Sequence, residues 1–462
     1  MGKKTCLIFA LLFILIPAAS ASAAELEVGQ DKPFATISSA LDAAQDGDVI
    51  RVAPGVYTEN LLINKAVTLE SVERHQAVIN GSYTRHVVEA RDARVVIKGF
   101  TICSSGRNYL DNDAGILIEG ASNSEVIDNK LQDVLFGIYV SECENVLLKD
   151  NSITGFEEEQ FSKRGNGIHF FNTRNNLADG NVITATRDGI YFDQCDKTTV
   201  SNSCVTFVRY GLHYMSSDDN VFRYNYLGHN VSGAAIMFSL NITLDHNVFA
   251  ENTGPRCFGL FFQLVSDGVI ENNLFFKNNI GVYSDLSNRL YFKNNTMMQN
   301  DIGMEMLGSN WENVFTDNSF LDNFQQVSVN EIRTNDFWSH EGRGNYWSDY
   351  SGIDTQKDGV GDTAYRSGSA FEYSMYEFPF MRLFSESPTA NLLKTVDAMF
   401  PVVKRAEIVD EFPLMHDGNT DLLEKIVSQK STAAGVVTFA VSLCAVLLGV
   451  GFMRTVSRSF KK

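Results

Sequence analysis

Basic side chains are scarce in this chain: 38 Lys and Arg stand against 56 Asp and Glu, for a net charge of −18. That balance argues against a surface built for nucleic acid or anionic lipid and leaves room for cationic partners or metal ions. Paired cysteines are missing as well. No CxxC occurs, and Cys103, Cys143, Cys195, Cys204 and Cys257 form an odd, scattered set, which reads as small buried apolar residues rather than a disulfide framework. Helix formers are few beside Asn, Phe and Gly, and no helical apolar spacing runs through the middle of the chain. What is left is turn-rich and periodic.

Gly115, Gly137, Gly167, Gly189, Gly211, Gly259, Gly281 and Gly303 each open a short apolar run, from GILIE and GIYVS to GVYSD and GMEML. The coil between Gly211 and Gly259 is read as starting at Ala234. Asn129, Asn151, Asn181, Asn225, Asn247, Asn273, Asn295 and Asn318 recur alongside with the same period of about 22 residues, and Ser203 takes the missing place. Self-similarity at this spacing marks a solenoid whose units bury their apolar face only by stacking. Leucine-rich repeats have this length, but their Leu/Asn framework is absent and the runs are rich in Ile, Phe, Tyr and Val. The prediction is an all-β, single-stranded parallel β-helix of about twelve coils, about 55–60 Å long at about 4.8 Å per coil. Right-handedness follows from the general preference of parallel crossovers.

Residues 1–23 have the form of a signal peptide: Lys3 and Lys4, an apolar run from Leu7 to Ile16, and the small-residue site Ala21-Ser22-Ala23. An N-terminal helical cap is expected over 24–48, where Phe34, Ile37, Leu41 and Ala44 share a helical face. The repeats should fill 49–345, followed by a C-terminal cap and partner-docking tail over 346–430 with a short helix from Ala390 to Phe400. An uncharged stretch over 433–453 is long enough for a transmembrane helix. The basic tail over 454–462 would then be cytoplasmic and the repeats periplasmic, anchored in the inner membrane by that helix.

Strand alternation puts the residue two past each glycine on the outside. That column reads Leu117, Tyr139, His169, Tyr191, His213, Ile236, Phe261, Tyr283, Glu305. A contiguous apolar strip on a rod suits protein docking; alternatively, the inserted stretches Phe156–Lys163 and Glu251–Phe258 fold over it. Tyr139, Tyr191, Phe261 and Tyr283, with Phe371, Tyr373 and Phe378 in the tail, are the candidate docking residues. The asparagine column is structural, since Asn tolerates tight turns and can bond along the rod.

His169, His213 and Met215 are candidate copper ligands, because imidazole and thioether suit Cu(I). Asp354, Asp358 and Asp362 around Gly359 resemble half of a calcium loop, although the twelfth position is Tyr365 rather than Glu. A tight acidic turn without metal is the alternative. No resident cofactor is expected, with transient copper and calcium as the candidate ions. Asp188, Asp193, Asp196, Asp218, Asp219 and Asp285, with Arg187, Arg209 and Arg223, look scattered over turns and form no opposed acid–base pair. The expectation is therefore no catalytic residue and no enzyme.

The coils, the NYWSDY segment at Asn345–Tyr350, the DGVGD segment at Asp358–Asp362 and the aromatic, proline-containing tail after them resemble the NosD family, built on a pectin-lyase-like β-helix. The resemblance implies a periplasmic accessory protein for copper-site assembly in nitrous oxide reductase. It implies as partners an ABC transporter permease with its ATPase subunit, a periplasmic copper chaperone and the apo reductase, and it supplies no catalytic residue. A non-enzymatic scaffold is the expected role, with an extracytoplasmic carbohydrate-binding or carbohydrate-active β-helix as the alternative.

Overall fold

The computed structural model describes residues 23–254, 256–330, 335–367, 378–384, 387–399 and 408–418. Their backbone winds through three parallel sheets of 14, 12 and 13 strands, each strand bonded to the one a coil before and the one a coil after. Register is kept along the rod: Ile168 pairs with Ile190, Ile190 with Leu212, Leu212 with Ala234 and Ala234 with Leu260. This is the parallel β-solenoid that the period predicts, right-handed as parallel crossovers generally are.

The glycines are there because neighbouring coils approach closely. A Cβ on Gly211 would stand 2.6 Å from the carbonyl oxygen of Gly233, and one on Gly233 would stand 2.4 Å from that of Gly259. Gly233, not Ala234, therefore opens the coil after Gly211. With that shift Ala235 takes the outward place between His213 and Phe261, and Ile236 is buried in the core. Met237 then lies outside and half-buried.

Inside the rod, each sheet contributes in-register columns. Ile153, Ile183, Val205, Leu227, Phe249, Phe275, Met297, Phe320 and Trp347 continue one another on the third sheet. The asparagines bind these coils together. Asn247 N donates to Asn273 Oδ1 (2.9 Å) and Asn273 N to Asn295 Oδ1 (3.0 Å), while Asn273 Nδ2 reaches Leu244 O at 2.9 Å. One buried amide thus ties three coils. A second ladder that sequence reading missed runs Asn230, Asn252, Asn278, Asn300, Asn323, with N–H to Oδ1 distances of 2.9–3.1 Å.

Both ends of the stack are closed. The helix Ile37–Ala43 buries Ile37, Ala40 and Leu41 over the first coil. Glu59 accepts from Ile37 N and Ser38 N, and Lys65 Nζ donates to the carbonyls of Leu41, Asp42 and Ala44, so the first coil satisfies both ends of its own lid. The strand Glu25–Val28 pairs with Val49–Val52, so the rod already begins within the expected cap. At the other end Trp347 stacks between Phe320 and Tyr365 at 4.3 and 4.1 Å. Asn345, the last ladder amide, donates its N–H to Asp410 at 2.7 Å. The strand Ile408–Asp410 pairs antiparallel with Tyr365–Ser367. The short helix expected near Ala390 is present as Pro388–Met399.

The fold class needs one correction. Among the described residues no helix is long and apolar enough to cross a membrane, and the transmembrane helix expected over 433–453 lies outside them, as do residues 1–22. The expected attachment to the inner membrane accordingly finds no helix among the described residues to carry it. Among the described residues the five cysteines are free thiols, with Cys143, Cys195 and Cys257 buried.

Two predictions follow from the ladder and its end. Asn273→Ala removes the amide that bonds coils on both sides and should lower unfolding stability by about 3 kcal/mol, read from the denaturant midpoint. Burial pushes the Asp410 carboxyl up to about 6 from 3.8, against hydrogen bonds from Trp347 and from the backbone and side-chain amides of Asn345. The native state holds this proton more tightly than the unfolded chain. Its contribution to stability should be complete below pH 3.8 and lost as pH rises through about 6, and thermal melts of Asp410→Asn should show a flatter pH dependence over that window.

Candidate functional site

The long-strand sheet carries the outward column, but the column is not an exposed strip. Leu117, Tyr139 and Tyr283 are buried, because the residue preceding each glycine leans onto the same face. Phe136 and Leu135, with Phe156 from the long inserted coil, pack over Leu117 and Tyr139. Phe258, Ile280 and Ile302 pack with Phe261 and Tyr283. Two apolar patches result. Ala235 leaves a gap in the ring sequence ahead of the second, and a polar centre lies between them.

Rings floor that centre. Centroids are 4.4 Å apart for Tyr139–His169, 4.6 Å for His169–Tyr191 and 4.8 Å for Tyr191–His213, the spacing of the coils beneath. Beside the rings Asp188 is fully buried and accepts from Arg209 Nε at 2.8 Å, Arg209 Nη2 at 2.7 Å and His213 Nδ1 at 3.0 Å. Arg187, one coil from Arg209, brings its Nε to 3.5 Å from the same carboxylate. Arg187 lies over Tyr109, to whose hydroxyl it also donates, and Arg209 over Tyr210.

Burial opposes the charge on Asp188, yet the bonds and charges of His213 and Arg209 outweigh it and hold the carboxyl at about 2. It is a fixed anion. An ionised carboxylate only accepts, so His213 Nδ1 carries a proton, and in the neutral ring its Nε2 lone pair has no partner among the described residues. The pair has the form of a carboxylate-oriented imidazole, suited to general-base work or to hydrogen-bonding a ligand. Burial, helped by the charge of Arg187, drives the His169 imidazole down to about 3. His169 is neutral, and its Nδ1 accepts from Asn166 Nδ2 at 3.2 Å. Burial also raises the Asp193 carboxyl, against the nearby His213.

The candidate metal ligands do not come together. His169 and His213 are two coils apart with Tyr191 between them, about 9–10 Å at about 4.8 Å per coil, whereas ligand nitrogens lie about 2 Å from one shared ion. Met215 follows His213 on the outer face and takes a contact from Tyr191 Oη at 3.7 Å. Among the described residues no three His, Cys, Asp or Glu side chains are grouped for a metal. These residues do not fit a copper centre. In the acidic turn, Asp354 accepts from the N–H groups of Lys357, Asp358 and Gly359, and Asp362 from Thr355; the carboxylates are spent on the turn itself. Phe378 is exposed, whereas Phe371 and Tyr373 lie outside the described residues.

Sequence reading placed Asp188 among scattered turn aspartates. The signal that could have found it is register: Arg187-Asp188-Gly189 and Arg209-Tyr210-Gly211 set two arginines at the same place in consecutive coils around one carboxylate.

Fold and site together define a parallel β-solenoid with a charged centre set in a ladder of rings. The family described as periplasmic copper-binding protein (NosD) matches residues 155–352, and a right-handed β-helix family matches 85–223. The chain is 29% identical over 390 residues to the "Probable ABC transporter binding protein NosD" of Pseudomonas aeruginosa, across 79% of this chain and 87% of that protein. It is 27% identical over 383 residues to the protein of the same name from Stutzerimonas stutzeri, across 79% and 86%. The chain is thus similar to the NosD family over most of its length. Among solved structures, the catalytic domain of a GH87 α-1,3-glucanase in complex with nigerose superposes with a TM-score of 0.55 at 13% identity, across 70% of this chain and 69% of that one. This likeness concerns the fold alone.

The expectation of no acid–base cluster and no enzyme is corrected by these findings. Asp188, Arg209 and His213 are assembled in one place, which removes the ground on which an enzyme was excluded. Asp188→Ala leaves two guanidinium groups without their buried counter-charge and should cost about 3–5 kcal/mol, with Asp188→Asn costing less; urea titration of the two variants checks the order.

Proposed function

We propose that this NosD-like solenoid binds, and has the side chains to act on, an extended carbohydrate laid along the long-strand sheet. The observation that carries the reading is the ladder Tyr139–His169–Tyr191–His213 running beside a buried Asp188–His213 pair. Sugar rings offer apolar C–H faces and many hydroxyls, and a site of aromatic rings with a few fixed polar groups matches both. Asp188 is pinned as an anion and orients His213. Asp193, whose carboxyl is raised by burial, lies on the same strand. Titration calorimetry against a glycan panel should find a ligand, and Tyr191→Ala should weaken it by at least about tenfold, about 1.4 kcal/mol; a panel in which nothing binds overturns the reading.

A second reading is favoured by the family match, which spans the coils that carry Asp188, Arg209 and His213. Its relatives are named as ABC transporter binding proteins. On this reading the chain is an extracytoplasmic scaffold that couples an ABC transporter and a copper chaperone to nitrous oxide reductase maturation. Tyr191, Phe261 and the exposed Phe378 would contact partners. Affinity capture with Tyr191→Asp plus Phe261→Asp should lose the transporter or the reductase, and undiminished capture counts against this face.

A further inference from the structure

We propose that the centre of this face, between Arg187 and Arg209, receives the carboxylate of a uronate residue in an extended acidic glycan; the inference rests on the carbohydrate reading above. The charge count comes first. Two guanidinium groups share one buried carboxylate, Asp188, and His169 beside them is neutral, so these four groups together keep a positive charge in a chain whose net charge is −18, with Asp193 farther along the strand the next carboxylate. An anion of the ligand is the group that balances it.

Unspent hydrogen-bonding groups point to the same place. Arg209 uses Nε and Nη2 on Asp188 and Arg187 uses Nη1 on Tyr109, which leaves Arg209 Nη1 and Arg187 Nη2 as a donor pair for a carboxylate. Arg187 Nε and Asn166 Oδ1 are buried with no hydrogen-bond partner. Asn166 is itself fully buried and holds the place of Asp188 one coil earlier. An unsatisfied buried acceptor costs stability unless something donates to it, and a sugar hydroxyl next to the carboxylate can. Since His169 Nδ1 accepts from Asn166, its Nε2–H is a further donor on the ladder.

A glycan fits better than an acidic polypeptide for a reason of topology. Every strand at this part of the face is paired on both sides, so there is no open edge to which a peptide could add as a strand. Recognition must come from side chains alone. Rings and separated polar groups serve a ligand that carries its own hydroxyls.

The test is calorimetric titration of the full chain with oligogalacturonate, its methyl ester, a neutral α-1,3-glucan oligomer and polyglutamate. Oligogalacturonate should bind about tenfold or more tighter than its ester, with affinity falling as salt rises. Arg187→Gln should lose about tenfold for the acid and little for the neutral oligomer, and Arg187→Lys should recover part of it. Equal binding of acid and ester by the unmodified chain overturns the carboxylate site while leaving the carbohydrate reading standing. Polyglutamate bound as tightly as oligogalacturonate overturns the choice of a glycan. Binding of none of the four overturns the inference, and the wider glycan panel then decides whether the carbohydrate reading goes with it. The acid–ester comparison needs no variant, so misfolding of Arg187→Gln does not blunt the result.

Discussion

The bond on which everything else depends runs between coils: a buried asparagine amide that accepts from the backbone N–H of the preceding ladder residue and donates to a carbonyl of that same preceding coil. At Asn225, Asn247, Asn273 and Asn295 the pattern repeats with donor–acceptor distances near 3 Å. A strand bends sharply there, and its polar groups face inward, where water cannot reach them. Left unpaired they would penalise each turn. Paired along the axis, they also make every coil report the position of the last, so register errors cannot accumulate.

Fixed register is what lets a site exist on such a rod. Residues 22 positions apart become neighbours, and a column of rings is a property of sequence period rather than of local folding. Asp188 and Arg209 meet because they lie one position apart from equivalence in consecutive coils. The same register, across a longer coil, stacks Phe320 and Trp347 at the end of the core, where the aromatic NYW segment acts as a plug. Its asparagine passes the ladder to Asp410, a carboxylate that can accept from Asn345 N, Trp347 Nε1 and Phe412 N at once.

The solenoid, its core columns and the first asparagine ladder could be read from the sequence because each depends only on period and alternation. Gly233 could not be told from Ala234 by composition. The distinction depends on the next coil's carbonyl filling the Cβ position, and it moved Ile236 inward and Ala235 outward. The outward column looked exposed because alternation reports which way a side chain leaves its own strand and says nothing of neighbours leaning across it. Phe136, Phe156 and Phe258 do so. The charged centre was hidden for a related reason: scanning for an acid opposite a base along the chain overlooks groups that meet across coils, and Asp188 meets Arg209 and His213 that way.

The charged centre is also where the rod departs from its own logic. Elsewhere the outer face is closed by apolar contacts, and a buried ion pair is no economical substitute for them, since burying these charges costs several kcal/mol before their attraction is counted. Asp188 offsets that cost with three hydrogen bonds from Arg209 and His213, but Asn166 Oδ1 and Arg187 Nε remain without a hydrogen-bond partner beside it. A scaffold selected only for stiffness would gain by exchanging the cluster for another ring, as the neighbouring coils have done at Phe136 and Phe258. Its position midway between two sealed apolar patches, with one imidazole held in a single tautomer, is better explained by a ligand that completes it than by the stability of the solenoid.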